Sequence, residues 1–388
     1  MANSFTRSST ATNALTSVNG SLSGDGAVAV ENSRGFDGAP VRSLKRYMRN
    51  SDDYSYGMRA AVQEAIEYAA TRKGRVFQVE IPSGEYVLDG DTIEHPTFMK
   101  FKPLGGVLLD ARGMTVPTHW CRADLDGYIV DDQYVESAAN QGDLWDTSGG
   151  LVTVLGNLSA GAAGYRFGSG DGQWGPLYAG GKLPYSILFR VKGFVFKGLD
   201  NALQYTNLHT FCIRHQDIRS DGCNKSIVTS AAAGLDFGEI SNFNECFFTN
   251  TLITNVEMNA AHQFAFSGGS FPFCRGDNIT INADLARVIC SAGQRFEAGE
   301  TISNSTGAFP RSVVVLDGAW ITPARKADGV TSENTYLRKM FKGQHQVQLN
   351  GAVVDMTGAT VFNSTYAAGA NLFQADANTV VKGNYRVL

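Results

Sequence analysis

The sequence predicts an all-β chain wound as a β-solenoid and led into by one amphipathic helix. Charged residues make up only 18% of the 388, while glycine numbers 43 and phenylalanine 23, an apolar and turn-rich balance that suits short strands better than long salt-bridged helices. Beyond residue 75 the chain holds no second convincing helical pattern, only short apolar runs separated by Gly, Asn, Asp and Ser. Those runs recur. Laying "VKGFVFKGLDN" (191–201) over "IRHQDIRSDGC" (213–223) and "FNECFFTNTLI" (243–253) superposes Val191, Ile213 and Phe243, then Phe196, Ile218 and Phe248, with Gly198, Ser220 and Asn250 at the next turn. The second step is longer than the first, and the extra length falls in the Ala/Gly-rich excursion "TSAAAGLDFGE". A solenoid demands such recurrence, because each coil must stack like on like to bury its inward side chains.

The elements follow in order. Residues 1–45 are dense in Ser, Thr, Asn and Ala and low in aromatics, which reads as an arm or linker that orders on a partner. This stretch lacks the basic and apolar regions of a secretory signal, so no Sec export is expected. Residues 46–75 form the helical region: Met58, Ala61, Val62, Ala65, Ile66 and Ala69 make one apolar stripe within 57–71, and Lys73-Gly74 is the stop. Residues 76–388 are the β domain, opening with "VEIPSGEYVL" and "PLGGVLLDARGMT".

Composition also excludes. A net charge of -4 gives no electrostatic case for nucleic acid, and no apolar run is long enough to cross a bilayer, so no membrane insertion is expected. The six cysteines, at 121, 212, 223, 246, 274 and 290, show no CxxC and no nearby His pair. They read as buried free thiols rather than a zinc site or disulfide framework, and no metal or other cofactor is expected.

The order of helix, "IPSGEYVL" and solenoid coils, with the "FGEISNFNECFFTNT" coil at 237–251, resembles the pectate-lyase-like right-handed parallel β-helix of bacteriophage tailspikes over roughly residues 55–325. The resemblance implies that the helix caps the open first coil, shielding unpaired backbone groups from edge-to-edge association. It further implies a homotrimeric virion tail protein, made in the host cytoplasm, whose arm docks to other tail proteins. Such a protein binds a bacterial surface polysaccharide (capsule, exopolysaccharide or O-antigen) during host adsorption and depolymerises it, with glycoside hydrolysis favoured over lyase chemistry. The competing implication is a catalytically silent tail protein serving adhesion or tail architecture.

Glycoside hydrolysis needs two carboxylates. The overlay sets His215 and Glu245 at one coil position, Asp217 two residues on and Asp221 at the next turn, with Asp236 and Glu239 flanking the excursion. Glu239, Glu245, Asp217, Asp221 and Asp236 are therefore the catalytic candidates, and His215 a binding candidate; the plainer reading of each carboxylate is a solvated face or a turn hydrogen bond. For sugar stacking, the Gly-rich loop "FGSGDGQWGPLYAGGKLPY" presents Trp174, Tyr178 and Tyr185, with Trp120 and Trp145 as a second aromatic candidate.

Overall fold

A computed structural model describes residues 40–50, 53–71, 77–122, 125, 143–168, 186–187, 190–206, 210–230, 240–297, 299, 301–322, 340–354 and 380–387. Most of its strands join one continuous parallel sheet, and the pairing register resolves the strands into coils of three faces. The first face stacks Phe77–Ile81, Met99–Pro103, Arg190–Lys192, Arg214–Gln216, the start of Ser241–Thr249 and of Gln263–Pro272, and Arg287–Ser291. The second stacks Gly84–Val87, Val107–Asp110, Val152–Leu155, Phe194–Lys197, Arg219–Asp221 and the ends of the same two long strands. The third stacks Ile93–His95, Pro117–Cys121, Ala163–Phe167, Asn201–Tyr205, Lys225–Thr229, Thr254–Met258 and Asp277–Ile281. This is the parallel β-helix the sequence predicts, and parallel crossovers of this kind wind right-handed.

Alternation explains why these short runs hold as strands. Phe77–Ile81 is buried at every second residue, and Phe194–Lys197 follows the same pattern, so each face turns one row inward. The inward rows stack ring on ring. His215 lies 4.5 Å from Phe243 and Phe243 lies 4.8 Å from Phe266, both nearly parallel, and Phe248 stacks on Phe271 at 5.4 Å.

The corners are marked by left-handed backbone. Gly193, Asp217, Glu245, Gly268, Ala292, Gly318 and Gly351 occupy one position on successive coils, and all have φ between 51° and 68°. A second such column runs through Gly198, Gly222, Asn250 and Phe273. The first column separates the first face from the second, and the other separates the second from the third.

Helix α1 (Tyr54–Thr71) covers the open end. It begins one turn before the predicted start, with the Asp53 carbonyl accepting from the Gly57 N–H, because Tyr54 also belongs to the buried stripe with Met58, Ala61, Val62 and Ala65. Tyr54 packs against Tyr86 of the first coil and bonds to His119 Nε2 at 3.3 Å. Upstream, Val41–Ser43 pairs in parallel with Gln78–Glu80, and Arg42 bridges to Glu64 of α1 at 2.8 Å. Pairing with the β domain thus begins at Val41, before the residue-45 limit given to the arm. Residues 1–39 and the stop at Lys73-Gly74 lie outside the described residues. No helix among the described residues is long and apolar enough to cross a membrane.

The coil register corrects the sequence overlay. Val191 pairs with His215 rather than Ile213, and His215 pairs with Phe243, so the first coil step is two residues longer than the overlay makes it and the second two residues shorter. The overlay sets only the middle coil out of place. A two-residue slip keeps every inward side chain inward, whereas a one-residue slip would reverse them. Ile213 and His215 are both buried, as are Ile218 and Ser220, so apolar patterning could not separate the two registers.

Candidate functional site

The corrected register moves Glu245 off the position of His215 and places it beside Asp217. The Asp217 N–H donates to the Asn244 carbonyl at 3.2 Å, locking the two corners together. Neighbouring coils are ~4.8 Å apart, so the two acidic residues are immediate neighbours on one exposed ridge. Both are left-handed, with φ of 52° and 53°. Such a backbone costs an L side chain about 1–2 kcal/mol relative to glycine, less for Asp, which bonds locally. Glycine takes this position in most of the other coils.

Around this corner the second face supplies polar and aromatic groups. Arg219 bonds Asp217 at 3.1 Å, and Asp221, two residues further along, accepts from Asn250 Nδ2 at 2.8 Å. Phe247 pairs in register with Arg219 and is 41% exposed. The outward row then continues through Ser270 and Arg295 to Trp320, and Arg295 lies 3.6 Å from Glu297. The indole N–H of Trp320 is buried without a partner. Four coil steps separate Arg219 from Trp320, about 19 Å, room for an oligosaccharide rather than one sugar. Beside Glu245 the surface is open: a Cβ placed on Gly268 would meet nothing closer than 3.9 Å, and Glu245 Cγ lies 4.0 Å from that point.

Of the predicted site residues, the structure brings Asp217 and Glu245 together at the corner where the second face begins, while Asp221 lies at the far end of that face, next to the Gly222 corner. Asp236, Glu239, Trp174, Tyr178 and Tyr185 lie outside the described residues. His215 is corrected from a binding residue to a core residue. It is fully buried, stacked on Phe243 and bonded to the Tyr205 hydroxyl, and burial lowers its pKa to about 3. Trp145 is likewise interior, donating to Tyr165 Oη at 3.0 Å. Arg219, Phe247, Arg295 and Trp320 were missed by sequence reasoning; once the coil register is known, their alternation with the inward row identifies them.

Chemistry at this ridge falls to carboxylates. Cys246, next in sequence to Glu245, is buried and burial pushes its thiol up to about 12, which removes it as a nucleophile. Among the described residues no group of three or more His, Cys, Asp or Glu side chains could hold a metal ion. A pair of neighbouring acids beside an arginine and an exposed ring can serve general acid and base or nucleophile roles on a polyhydroxylated chain.

No family model and no curated protein matches the chain. Among solved structures it is similar to the enzymatically active domain of tailspike protein 2 from bacteriophage CBA120, at 12% identity and a TM-score of 0.39, covering 87% of this chain and 45% of that one. It is also similar to full-length tailspike protein 2 from an Escherichia coli O157:H7 bacteriophage, at 11% identity and a TM-score of 0.40, covering 88% of this chain and 41% of that one. The chain thus spans less than half the length of either.

Proposed function

We propose that the chain is a bacteriophage tailspike subunit that binds a bacterial surface polysaccharide along its second face and hydrolyses it at the Asp217–Glu245 ridge during host adsorption. The observation that supports this most is the placing of two acids, on adjacent coils, at a left-handed corner where glycine is the cheaper residue. Strain of that kind concentrates at functional sites. The "IPSGEYVL" and "FGEIS" segments support the tailspike part of the reading.

In this reading Glu245 is the acid that protonates the glycosidic oxygen, and Asp217, oriented by Arg219, faces the anomeric carbon. A one-coil step of ~4.8 Å is nearer the roughly 5–5.5 Å of retaining hydrolases than the wider spacing of inverting ones, so retention is the expected outcome. Phe247 offers a ring for a sugar to stack on, and Arg295 a guanidinium further along the same row. The arm, residues 1–39, attaches the subunit to other tail proteins. Three chains associate along their length, and light scattering that returns a single chain of 41.7 kDa would overturn that part.

The deciding experiment measures reducing ends released from purified host capsule, exopolysaccharide and O-antigen. The wild-type chain releases them, while Glu245→Gln and Asp217→Asn lose several orders of magnitude in rate with unchanged melting temperatures. Should both variants keep wild-type turnover, the assignment is wrong and Asp221, Asp236 and Glu239 become the acids to test. A wild-type chain that binds a polysaccharide without cutting it would instead fit a silent adhesin.

A further inference from the structure

The third face carries a second built cluster, away from the acidic ridge. Its outward row runs Glu94, Trp120, Arg166 and Gln204 on successive coils. Trp120 is pinned by its indole N–H, which donates to the Gly168 carbonyl at 2.8 Å. Two guanidinium groups lie against its ring, those of Arg122 and Arg166, each 4.8 Å from the centroid. The two arginines differ in what satisfies them. Arg122 donates to the Glu94 carboxylate at 2.6 Å. Among the described residues Arg166 donates through Nε to the neutral Gln204 Oε1 at 2.9 Å and forms no ion pair.

Arg166 is a half-buried cation with no counter-ion among the described residues. Burial lowers its pKa, with the charge of Glu94 opposing the shift, and Glu94 is already engaged by Arg122. A desolvated charge left unpaired is costly, and an anion from outside would relieve it. Held 4.8 Å over the indole, the guanidinium keeps N–H groups free of the ring, and a guanidinium fork can grip two oxygens of one planar acid. The same ring shields one side of the contact from water, which strengthens it.

Resting on the reading of the chain as a glycan binder, we infer that Arg166, backed by Trp120 and flanked by Gln204, is a subsite for the carboxylate of an acidic sugar, so that the polysaccharide recognised carries uronic-acid-type residues. Neutral glycans have nothing to place against this cation. Sulfate or phosphate shares part of the chemistry, and the test separates them.

Isothermal titration of the full chain uses hyaluronan tetrasaccharide and the same tetrasaccharide with its carboxylates reduced to alcohols. The acidic form binds about tenfold or more tightly than the reduced form, the scale of a charge-assisted pair. Arg166→Gln removes that preference, Arg166→Lys restores only part of it, and Glu245→Gln keeps it. If Arg166→Gln melts below the assay temperature, Trp120→Phe, which keeps a smaller ring under the guanidinium, must reduce the preference instead. The inference is overturned if the wild-type chain does not distinguish the two forms, if Arg166→Gln retains the preference, or if sulfate competes as well as the tetrasaccharide. A wild-type chain that shows the preference but releases no reducing ends, or a Glu245→Gln variant that still cleaves, would count against the Asp217–Glu245 assignment and leave this subsite standing.

Discussion

Acidification to pH 5 should destabilise this protein through its buried histidines. His95, His119, His215 and His262 are all buried inside the solenoid. Their partners are hydroxyls, rings and a carbonyl. His95 donates through Nδ1 to the Pro96 carbonyl at 3.0 Å, which leaves Nε2 to accept from the Tyr165 hydroxyl at 2.6 Å. His119 faces Tyr54 and Thr118, His215 faces Tyr205, and His262 packs on Phe264. Burial is the first cause in every case, lowering His95 to about 4 and the other three to about 3.

The sign follows from linkage. A group whose folded pKa lies below its unfolded value contributes stability that is complete above the unfolded pKa, near 6.5, and is lost as pH falls toward the folded one. In that window the unfolded chain takes up a proton at each site and the folded chain does not. Each histidine therefore removes up to about 1.4 kcal/mol per pH unit, and four remove about 8 kcal/mol between pH 7.5 and 5.0. Asp89, Asp110, Asp146, Asp284 and Glu64 have lowered pKa values, so their contributions are lost as pH falls from the ordinary carboxylate values toward the lowered ones, mostly below about pH 5. Urea unfolding at pH 7.5, 6.0 and 5.0, followed by far-UV circular dichroism, measures the slope. His215→Phe, which keeps a ring in the stack, should shed about a quarter of it. A midpoint that stays constant from pH 7.5 to 5.0, or imidazole resonances titrating near 6.5 in the folded chain, would refute the reasoning.

Three further outcomes follow from the same geometry. Phe243→Ala empties a stacked interior position and should cost about 3–5 kcal/mol, while Phe247→Ala, on the same strand but outward, should leave stability within about 0.5 kcal/mol and weaken glycan binding; paired urea titrations and binding assays check both. In the left-handed column, Glu245→Gly should not lower the melting temperature although it abolishes cleavage, whereas Gly268→Ala should lose about 1 kcal/mol from strain alone; calorimetry on the two variants reads the contrast. Removing residues 1–39 should leave the melting transition in place, whereas removing 1–46 also takes the Val41–Ser43 pairing and the Arg42–Glu64 bridge and should lower it by about 3 °C or more; equal melting of the two truncations would count against the boundary at residue 40.

Hydrophobic spacing made the helix legible, because the residues at steps of three and four from Met58 to Ala65 are the ones α1 buries. It made the solenoid legible as well, since inward rows of Phe and Val recur from coil to coil. It could not set the register, and the site depends on the register. Strand patterning has a period of two, so coil steps that differ by two residues bury equally apolar rows, and Ile213 stood in for His215 without penalty. The site residues are outward, where composition is free, and a carboxylate there looks the same whether it lines a groove or faces solvent. His215 shows the converse difficulty: a polar side chain read as a ligand contact is held inside, its Nε2 bonded to the Tyr205 hydroxyl and its ring stacked on Phe243.

A sharper signal was available at the corners. Only a left-handed backbone makes glycine the cheapest residue at a turn, so glycines mark backbone geometry where apolar residues mark only a face. Aligning Gly198 with Gly222, both at φ near 60°, yields the true coil step directly, and carries Gly193 onto Asp217. From there the next coil puts Glu245 in the same column. Two acids on neighbouring coils at that corner are then visible as a pair in the amino-acid sequence itself, whereas the other breaks, at Ala292, Asn250 and Phe273, carry no carboxylate. In a solenoid, the residues that break a column of corner glycines are the ones to test first for chemistry.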